Sequence, residues 1–309
     1  MNATQSHDLD TWDGFLGRLY AQNEFAIKLG LDSMRRALDI ESHPQRSHSS
    51  ILVAGTNGKG GTASFLSSIL QAHGYSVGLY TSPHIIDLTE RFRIDGRPLP
   101  QDEVHAVGRE VIERYGDPQD AATPQLTFFE LTTLMGVRLF SDADVDVVVY
   151  EVGLGGRLDA TNALEPELSV ITSIGLDHQK YLGDDLAAVA REKCGIIRDD
   201  APLVVGRQEY EAALEEISRR APDDTRYFGR DFSVDDDAVI VDGRRIEPQL
   251  RGLVPRTRRW NAACGCAAAY AWLGDEFVDA AAADGLRRSY WPGRMDLRRL
   301  PEGPRGRTY

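Results

Sequence analysis

A run of consecutive apolar residues, DVVVYEV at 146–152, is the feature that most limits the folds open to this chain. Apolar side chains at adjacent positions are typical of a parallel strand that is buried on both faces. Similar short runs lie at 51–54, 76–80, 168–174 and 202–205, and segments with helical periodicity separate them. Because strands that alternate with helices form parallel sheets, the sequence predicts an α/β protein with a doubly wound, mostly parallel sheet.

Hydrophobic periodicity also places the helices and one smaller element. Helical segments are predicted at 13–39, 62–73, 102–115, 128–140, 186–197, 209–220, 260–273 and 277–288. Alternating residues on both sides of Asp242-Gly243, within 232–246, predict a small β-hairpin insertion.

Composition excludes several classes of protein. An apolar content of 42% argues against disorder, and a formal net charge of −13 argues against binding nucleic acid by bulk electrostatics. No apolar run is long enough for a membrane helix, and the N-terminus lacks the pattern of a signal peptide. Three cysteines without metal-knuckle spacing indicate reduced thiols. We therefore expect a cytoplasmic protein with no nucleic-acid or membrane partner.

The segment AGTNGKGGT at 54–62 lies between a predicted strand and a predicted helix. Glycines let backbone amides turn towards phosphate oxygens, the helix N-terminus adds partial positive charge, and Lys59 adds a full one. The segment departs from the usual GxxxxGK[ST] pattern because Val53 stands where the first glycine would be. A plain glycine-rich turn is the alternative, but the chain has only four lysines and one of them is here. The predicted phosphate-binding residues are Gly55, Thr56, Asn57, Gly58, Lys59, Gly60, Gly61 and Thr62.

Two further polar residues lie at or just past the carboxyl ends of predicted strands, where ligands of open parallel sheets collect. Glu151 ends the run 146–152, and a carboxylate there suits a hard divalent cation. An ordinary salt bridge explains its position equally well. His178 follows the run 168–174, although a lone histidine is more often structural than a ligand.

The segment GTNGKG at 55–60 resembles the phosphate loop of the folylpolyglutamate synthase/dihydrofolate synthase family of the Mur ligase superfamily. Four longer segments resemble the same family in the right order: KLGLDSMRRAL (28–38), LYTSPHIIDLTERFRIDG (79–96), VYEVGLGGRLDATN (149–162) and SVITSIGLDHQKYLGDDLAAVAREKCGII (169–197). The resemblance runs from about Lys28 to Arg294 and implies a Mur-ligase-like central ATPase domain.

The resemblance also implies roles for individual residues. Two Mg²⁺ ions would be held by Ser82, Glu151, His178 and Lys193, the last of them as a carbamate. Catalysis would rest on Lys59, Glu151, His178 and Lys193. Asn261 and Arg294 would contact ATP. Substrate contacts would come from Pro83, His84, Thr127, Phe128, Phe129, Arg157 and Asp159. From the residues alone, Ser82 also fits a turn before proline, and one of the two phenylalanines fits core packing.

The reaction implied is an ATP-dependent amide ligation that adds L-glutamate to folate or dihydropteroate through an acyl phosphate. One position departs from the pattern, because the family usually has serine where this chain has Gly61. The lost hydroxyl predicts weaker binding of nucleotide or Mg²⁺.

We divide the chain into an ATP-binding domain, residues 1–292, and a linker stub, 293–309, that leads toward an absent C-terminal glutamate-ligase domain. That domain would be encoded separately or fused elsewhere, and the chain is expected to be a monomer. Three alternatives stay open: a Mur-type ligase acting on another carboxylate, a non-catalytic nucleotide-binding remnant, and a P-loop ATPase of another kind. The sequence leaves open which pterin substrate is used and whether this chain is active alone.

Overall fold

The computed structural model describes residues 8–22, 30–177, 185–248 and 256–291. The predicted site residues His178 and Arg294 and the predicted linker 293–309 lie outside these ranges, and so they stay predictions.

The described residues form two sheets. The strands are β1 (Ser49–Ala54), β2 (Val77–Tyr80), β3 (Phe92–Ile94), β4 (Arg97–Pro98), β5 (Val147–Glu151), β6 (Leu168–Ile171), β7 (Leu203–Val205), β8 (Thr225–Tyr227), β9 (Phe232–Val234), β10 (Val239–Val241) and β11 (Arg244–Ile246). The larger sheet has eight strands in the order β4-β3-β2-β5-β1-β6-β7-β8. Strands β2, β5, β1, β6, β7 and β8 run parallel, whereas β3 and β4 pair antiparallel. The prediction of a mostly parallel α/β sheet is confirmed.

Helices cover both faces of this sheet. Within the described ranges they are α1 (Trp12–Tyr20), α2 (Asp32–Ile40), α3 (Lys59–Ala72), α4 (Gln101–Tyr115), α5 (Phe128–Asp142), α6 (Leu186–Lys193), α7 (Glu211–Ser218), α8 (Arg256–Leu273) and α9 (Asp279–Arg288). Short 3-10 helices lie at Pro44–Ser47, Leu88–Arg91, Ala160–Leu164, Cys194–Ile196 and Gly274–Glu276. None of the described helices has the length and apolarity that crossing a membrane requires.

The apolar run in β5 shows why the central strands lack alternation. Val148 and Tyr150 belong to the core beneath α1, α2, α4 and α5, and Val147 and Val149 belong to the core beneath α3, α8 and α9. Successive strand residues point to opposite faces of a sheet, so a strand covered on both sides needs apolar residues at every position. The two cores therefore fix β5 and β1 at the centre of the sheet.

Several predicted boundaries were wrong. Helix α3 begins at Lys59 rather than at 62, because Gly58 adopts the left-handed conformation (φ 90°) that starts it. The predicted strand at 168–174 ends at Ile171, and the helix predicted at 186–197 ends at Lys193 and continues as a 3-10 helix. The predicted segment 13–39 contains two helices, α1 and α2.

The predicted hairpin is part of a larger element. Strands β10 and β11 pair across Asp242-Gly243, and β9 adds a third antiparallel strand. Strands β3, β4 and β8 were not predicted, since each has only two or three residues and carries arginine among them. Short edge strands of this kind lack the continuous apolar signal of the central strands.

The topology brings the predicted chemical groups to one edge of the sheet. Strand β1 lies between β5 and β6, and β2 lies on the other side of β5. All four are parallel, and so their carboxyl ends lie at the same edge. The loop after β1, the end of β5 and the segment after β2 are neighbours there.

A buried histidine directly before the first residue of β1 makes the stability of the fold depend on pH. His48 is 8% exposed, and its ring contacts the Tyr150 hydroxyl through Nε2 at 3.0 Å. Burial lowers the pKa of His48 from 6.5 to about 4. The unfolded chain takes up this proton at a higher pH than the folded protein, so stability is lost as pH falls from about 6.5 to about 4. The loss amounts to about 3 kcal/mol.

We expect His48→Gln to remove this component of acid denaturation. Urea unfolding of wild type and variant at pH 7 and pH 4 would show a difference in free-energy loss of about 3 kcal/mol between them. Equal losses in the two proteins would contradict a neutral buried His48.

Candidate functional site: a phosphate loop at the carboxyl edge of the sheet

Hydrogen bonds connect the loop after β1 to the segment after β6. Thr56 N donates to the Ser173 carbonyl at 2.8 Å, and Thr172 Oγ1 donates to the Asn57 carbonyl at 2.8 Å. The Thr56 hydroxyl and the backbone of Gly175 are also hydrogen-bonded in both directions. These bonds fix the loop backbone before α3 begins, which gives the preorganised amide cradle that phosphate binding requires.

Two lysines converge on one carbonyl of this loop. Lys59 Nζ donates to the carbonyls of Gly55 at 3.1 Å and Thr56 at 3.3 Å. Lys193, at the end of α6, donates from Nζ to the same Gly55 carbonyl at 2.9 Å and is 4% exposed. Burial, together with the positive charge of Lys59, lowers the pKa of Lys193 to about 8. Two cations close together in an acidic protein favour a bound anion at this loop.

A carboxylate lies directly beside the lysines' loop. Glu151, the last residue of β5, is 6% exposed, and its Oε2 accepts a hydrogen bond from Ser82 N at 3.1 Å. A Cβ atom added at Gly60 would lie 3.2 Å from the same oxygen, so Glu151 contacts the start of α3. Mg²⁺ commonly binds through one or two carboxylates together with substrate phosphates. Glu151 and the Ser82 hydroxyl therefore fit one Mg²⁺ next to a bound phosphate.

The second metal position implied by the resemblance stays a prediction. No cluster of three or more histidine, cysteine, aspartate or glutamate side chains lies within residues 8–22, 30–177, 185–248 and 256–291. His178 falls in one of the gaps. Of the residues predicted to hold two Mg²⁺ ions, Ser82, Glu151 and Lys193 lie within the described ranges, and their role as ligands stays a prediction.

A cavity of about 360 Å³ borders the phosphate loop, Ser82 and Glu151. Its walls include the loop residues from Thr56 to Gly61, the Ser82-Pro83 turn, Glu151, and Asn261 of α8. Asn261 lies against the loop, since Cβ atoms built at Gly58 and Gly61 would come within 2.5 Å of Oδ1 and 2.7 Å of Nδ2. Asn261 thus lies beside the phosphate loop, and its predicted contact with ATP stays a prediction.

The same contact explains the glycine that departs from the family pattern. The Asn261 amide occupies the space that a side chain at Gly61 would need, so a serine there would have to displace the amide. Thr62, in the next position, is fully buried, and its hydroxyl makes no hydrogen bond to a described residue. Gly61 and Asn261 thus form a matched pair, and the effect of Gly61 on binding stays a prediction.

Trp291 and Arg93 are among the cavity residues that do not belong to the predicted site. The Trp291 ring covers Gly60, because a Cβ built there would lie 2.6 Å from the ring. Arg93 of β3 stacks over Trp291 at 5.6 Å from the ring centre. The only sequence signal for Trp291 was its place next to the Pro-Gly-Arg segment. Arg93 gave none.

The predicted substrate residues divide into two groups. Pro83 and His84 follow Ser82, and His84 Nδ1 accepts from Arg91 Nε at 2.8 Å while Nε2 contacts the Tyr20 hydroxyl at 3.2 Å. Phe128 lies beside them, stacked on Tyr20 with a centroid distance of 5.6 Å.

The residues of the second group cap a helix, pack in the core, or form hydrogen bonds and ion pairs within the protein. Thr127 caps α5 in a capping box with Glu130, and Phe129 packs on Gly153. Asp159 is buried and accepts from the backbone of Gly153, Leu154 and Thr161, while burial raises its pKa. Arg157 is half-exposed and pairs with Glu192 at 2.9 Å. None of these four lines the phosphate-loop cavity.

Residues 53–240 match the Mur ligase middle domain. The dihydrofolate synthase/folylpolyglutamate synthase of Escherichia coli K12 is 38% identical over 301 residues, which cover 96% of this chain and 68% of that enzyme. The chain belongs to the folylpolyglutamate synthase/dihydrofolate synthase family of Mur ligases. A probable bifunctional folylpolyglutamate synthase/dihydropteroate synthase of Haloferax volcanii is 36% identical over 297 residues, and this chain spans 35% of its length.

Solved structures of this family have the same fold. E. coli FolC in complex with DHPP and ADP superposes with a TM-score of 0.78 at 34% identity, over 95% of this chain and 69% of that one. Members of the family are ATP-dependent ligases, and the confirmed fold places the phosphate loop, Glu151 and Lys193 at one edge of the sheet.

Proposed function

We propose that this chain catalyses, or contributes to, ATP-dependent addition of L-glutamate to folate or dihydropteroate. The observation that carries the proposal is the convergence of Lys59, Lys193 and Glu151 on a preorganised phosphate loop. The relatives named above support the substrate class, since one of them is a dihydrofolate synthase/folylpolyglutamate synthase.

The reaction has two steps. A carboxylate oxygen of the pterin substrate attacks the γ-phosphorus of ATP, the bond to the β,γ-bridging oxygen breaks, and ADP leaves. The glutamate amine then attacks the acyl carbon, loses a proton, and expels inorganic phosphate. Both steps build negative charge on phosphoryl oxygens, which preorganised amides and cations stabilise most effectively.

The chain's own residues supply this stabilisation. The loop amides and Lys59 would hold the β- and γ-phosphates, and Asn261 would orient the nucleotide beside Gly58 and Gly61. Glu151 and Ser82 would hold Mg²⁺, which supplies charge neutralisation on the phosphates. Trp291 and Arg93, on the open side of Gly60, would exclude water from the phosphoryl group.

The carbamate on Lys193 is part of the proposal. A neutral amine must react with carbon dioxide, and the lowered pKa of Lys193 leaves a large neutral fraction near pH 8. In an enclosed position 2.9 Å from the Gly55 carbonyl, the product would place an anionic oxygen donor close to the phosphate loop.

We expect carbon-13 bicarbonate to give a carbamate NMR signal in the Mg²⁺- and ADP-loaded protein. Lys193→Gln removes the amine, so the signal should vanish in this variant, while Arg220→Gln, which removes an exposed charge and leaves both lysines of the loop in place, should retain it. A wild-type protein with bound nucleotide and no carbamate signal would contradict the modification.

The activity is tested by incubating the protein with Mg-ATP, L-glutamate and either dihydropteroate or tetrahydrofolate. Mass spectrometry should detect a glutamyl product with at least one acceptor. A product with a peptide-precursor carboxylate alone would indicate a different Mur-type ligase. ATP binding without any product would indicate a nucleotide-binding protein.

A further inference from the structure

A second cavity lies away from the phosphate loop. Its volume is about 500 Å³, and it lies between α2, the 3-10 helix Pro44–Ser47, the Ala160–Leu164 helix and the segment after Lys193. The residues that line it are all different from those of the phosphate-loop cavity. Among the predicted site residues that the structure describes, Arg157 alone lines it.

The walls of this cavity carry an excess of guanidinium groups. Arg35, Arg46, Arg157 and Arg198 line it, and the carboxylates of Asp39 and Glu165 face it as well. Asp39 lies 3.6 Å from His43 Nε2, and Arg157 pairs with Glu192 outside the cavity.

Three of the four arginines form no ion pair within salt-bridge distance of a described carboxylate. Arg35 and Arg46 are exposed, and neither makes a side-chain hydrogen bond to that part of the chain. Arg198 donates only to oxygens of neutral groups, the nearest being Asn162 Oδ1 at 2.7 Å. Burial lowers the pKa of Arg198, the carboxylate of Glu165 acts against this, and the nearby positive charge of Arg35 lowers the pKa further.

This arrangement is unusual for a protein with a net charge of −13. Its surface offers many carboxylates, and most arginines elsewhere are paired with one, as Arg138 is with Glu110 at 2.6 Å. The four guanidinium groups that face this space outnumber the two carboxylates of Asp39 and Glu165, so a net repulsion remains that a bound anion would relieve.

A buried amide gives an independent indication. Gln45 lines the same cavity and is 5% exposed, and its Oε1 has no hydrogen-bond partner within the described residues. Its amide nitrogen also has no described partner, and is thus free to donate. A buried acceptor without a hydrogen bond costs stability, and the protonated oxygen of an anion such as hydrogen phosphate would donate to Oε1 while its other oxygens accept from the amide nitrogen.

We propose that this cavity is a second anion site, which binds a small oxyanion with at least two negative charges. Arg35 and Arg46 would provide flexible forks, Arg198 a fixed one, and Gln45 an amide donor. Guanidinium forks pair with phosphate and with carboxylate in the same bidentate geometry, so inorganic phosphate and a tricarboxylate share this chemistry.

The test is calorimetric titration of the whole protein with inorganic phosphate, and separately with citrate, at constant ionic strength. The double variant Arg35→Gln/Arg46→Gln should fold normally, because both side chains are exposed and unbonded. We expect its affinity for the bound anion to fall by about tenfold or more. Arg220→Gln, which removes an exposed arginine on the α7 side, is the matched control and should bind as wild type.

Lys59→Gln separates this cavity from the phosphate loop, and from the function proposed for that loop. Retained binding in Lys59→Gln together with lost binding in the double variant would support the second site. Binding that is lost in Lys59→Gln but kept in the double variant would overturn it. Absence of binding of both anions to the wild-type protein would overturn it as well.

Discussion

Lys59→Gln is expected to lower the rate of glutamate ligation by a factor on the order of 10³. Glutamine keeps a polar side chain of similar reach but removes the charge that would stabilise the transferred phosphoryl group. The loop itself should stay folded, because its shape depends on the bonds of Thr56 and Thr172 rather than on Lys59. Steady-state product formation and a Mg-ATP titration of the same preparation measure the two effects.

Two further observations make this result specific. Arg220→Gln removes the same charge from an exposed position and should leave the rate within about twofold of wild type. Loss of the Lys59 charge should also raise the pKa of Lys193, since that charge helps to lower it. Lys59→Gln with a wild-type rate and wild-type affinity for Mg-ATP would show that the phosphate loop does not serve ATP.

Glu151→Gln is expected to weaken Mg²⁺ binding in the nucleotide complex by a factor on the order of 10² to 10³. A close pair of opposite charges near a protein surface is worth on the order of 4 kcal/mol, which corresponds to a change of this size. The hydrogen bond from Ser82 N can persist to the glutamine carbonyl, so the Ser82 turn should keep its position. Calorimetric titration of Mg²⁺ into the ADP-bound protein measures the effect without reference to activity.

Glu103→Gln is the matched control for this prediction. Glu103 is exposed in the first turn of α4, far along the chain from the phosphate loop. Its substitution removes one negative charge from the same acidic protein. Its Mg²⁺ affinity should equal that of wild type. An equal decrease in both variants would mean that general electrostatics, and not a ligand role of Glu151, controls the binding.

The central sheet could be predicted from the sequence because each inner strand is buried on both faces. In β5, four successive apolar residues, three of them β-branched valines, enter two different cores, and a run this short and this rich in valine favours a buried strand over a helix. The phosphate loop was equally visible, since its glycines and Lys59 are adjacent in sequence. The start of α3 was not, because it depends on the left-handed backbone of Gly58.

The contacts that complete the site join distant parts of the chain and could not be predicted from local pattern. Asn261 reaches Gly61, and Trp291 reaches Gly60, only after α8 and α9 pack on α3. The role of Thr127, by contrast, could be predicted from local pattern. Its capping box with Glu130 follows from the Thr-x-x-Glu spacing, so its structural task was readable in the sequence beside the substrate role that the resemblance implies.

Positional isotope exchange in ATP tests the central chemical claim most directly. ATP labelled with oxygen-18 in the β,γ-bridge would be incubated with Mg²⁺, the protein and each pterin acceptor, with L-glutamate left out. Reversible formation of the acyl phosphate predicts that the label moves to non-bridging β-oxygens only when an acceptor is present, and that Glu151→Gln abolishes this movement. Bound ATP that shows no exchange with either acceptor would contradict an acyl-phosphate ligase.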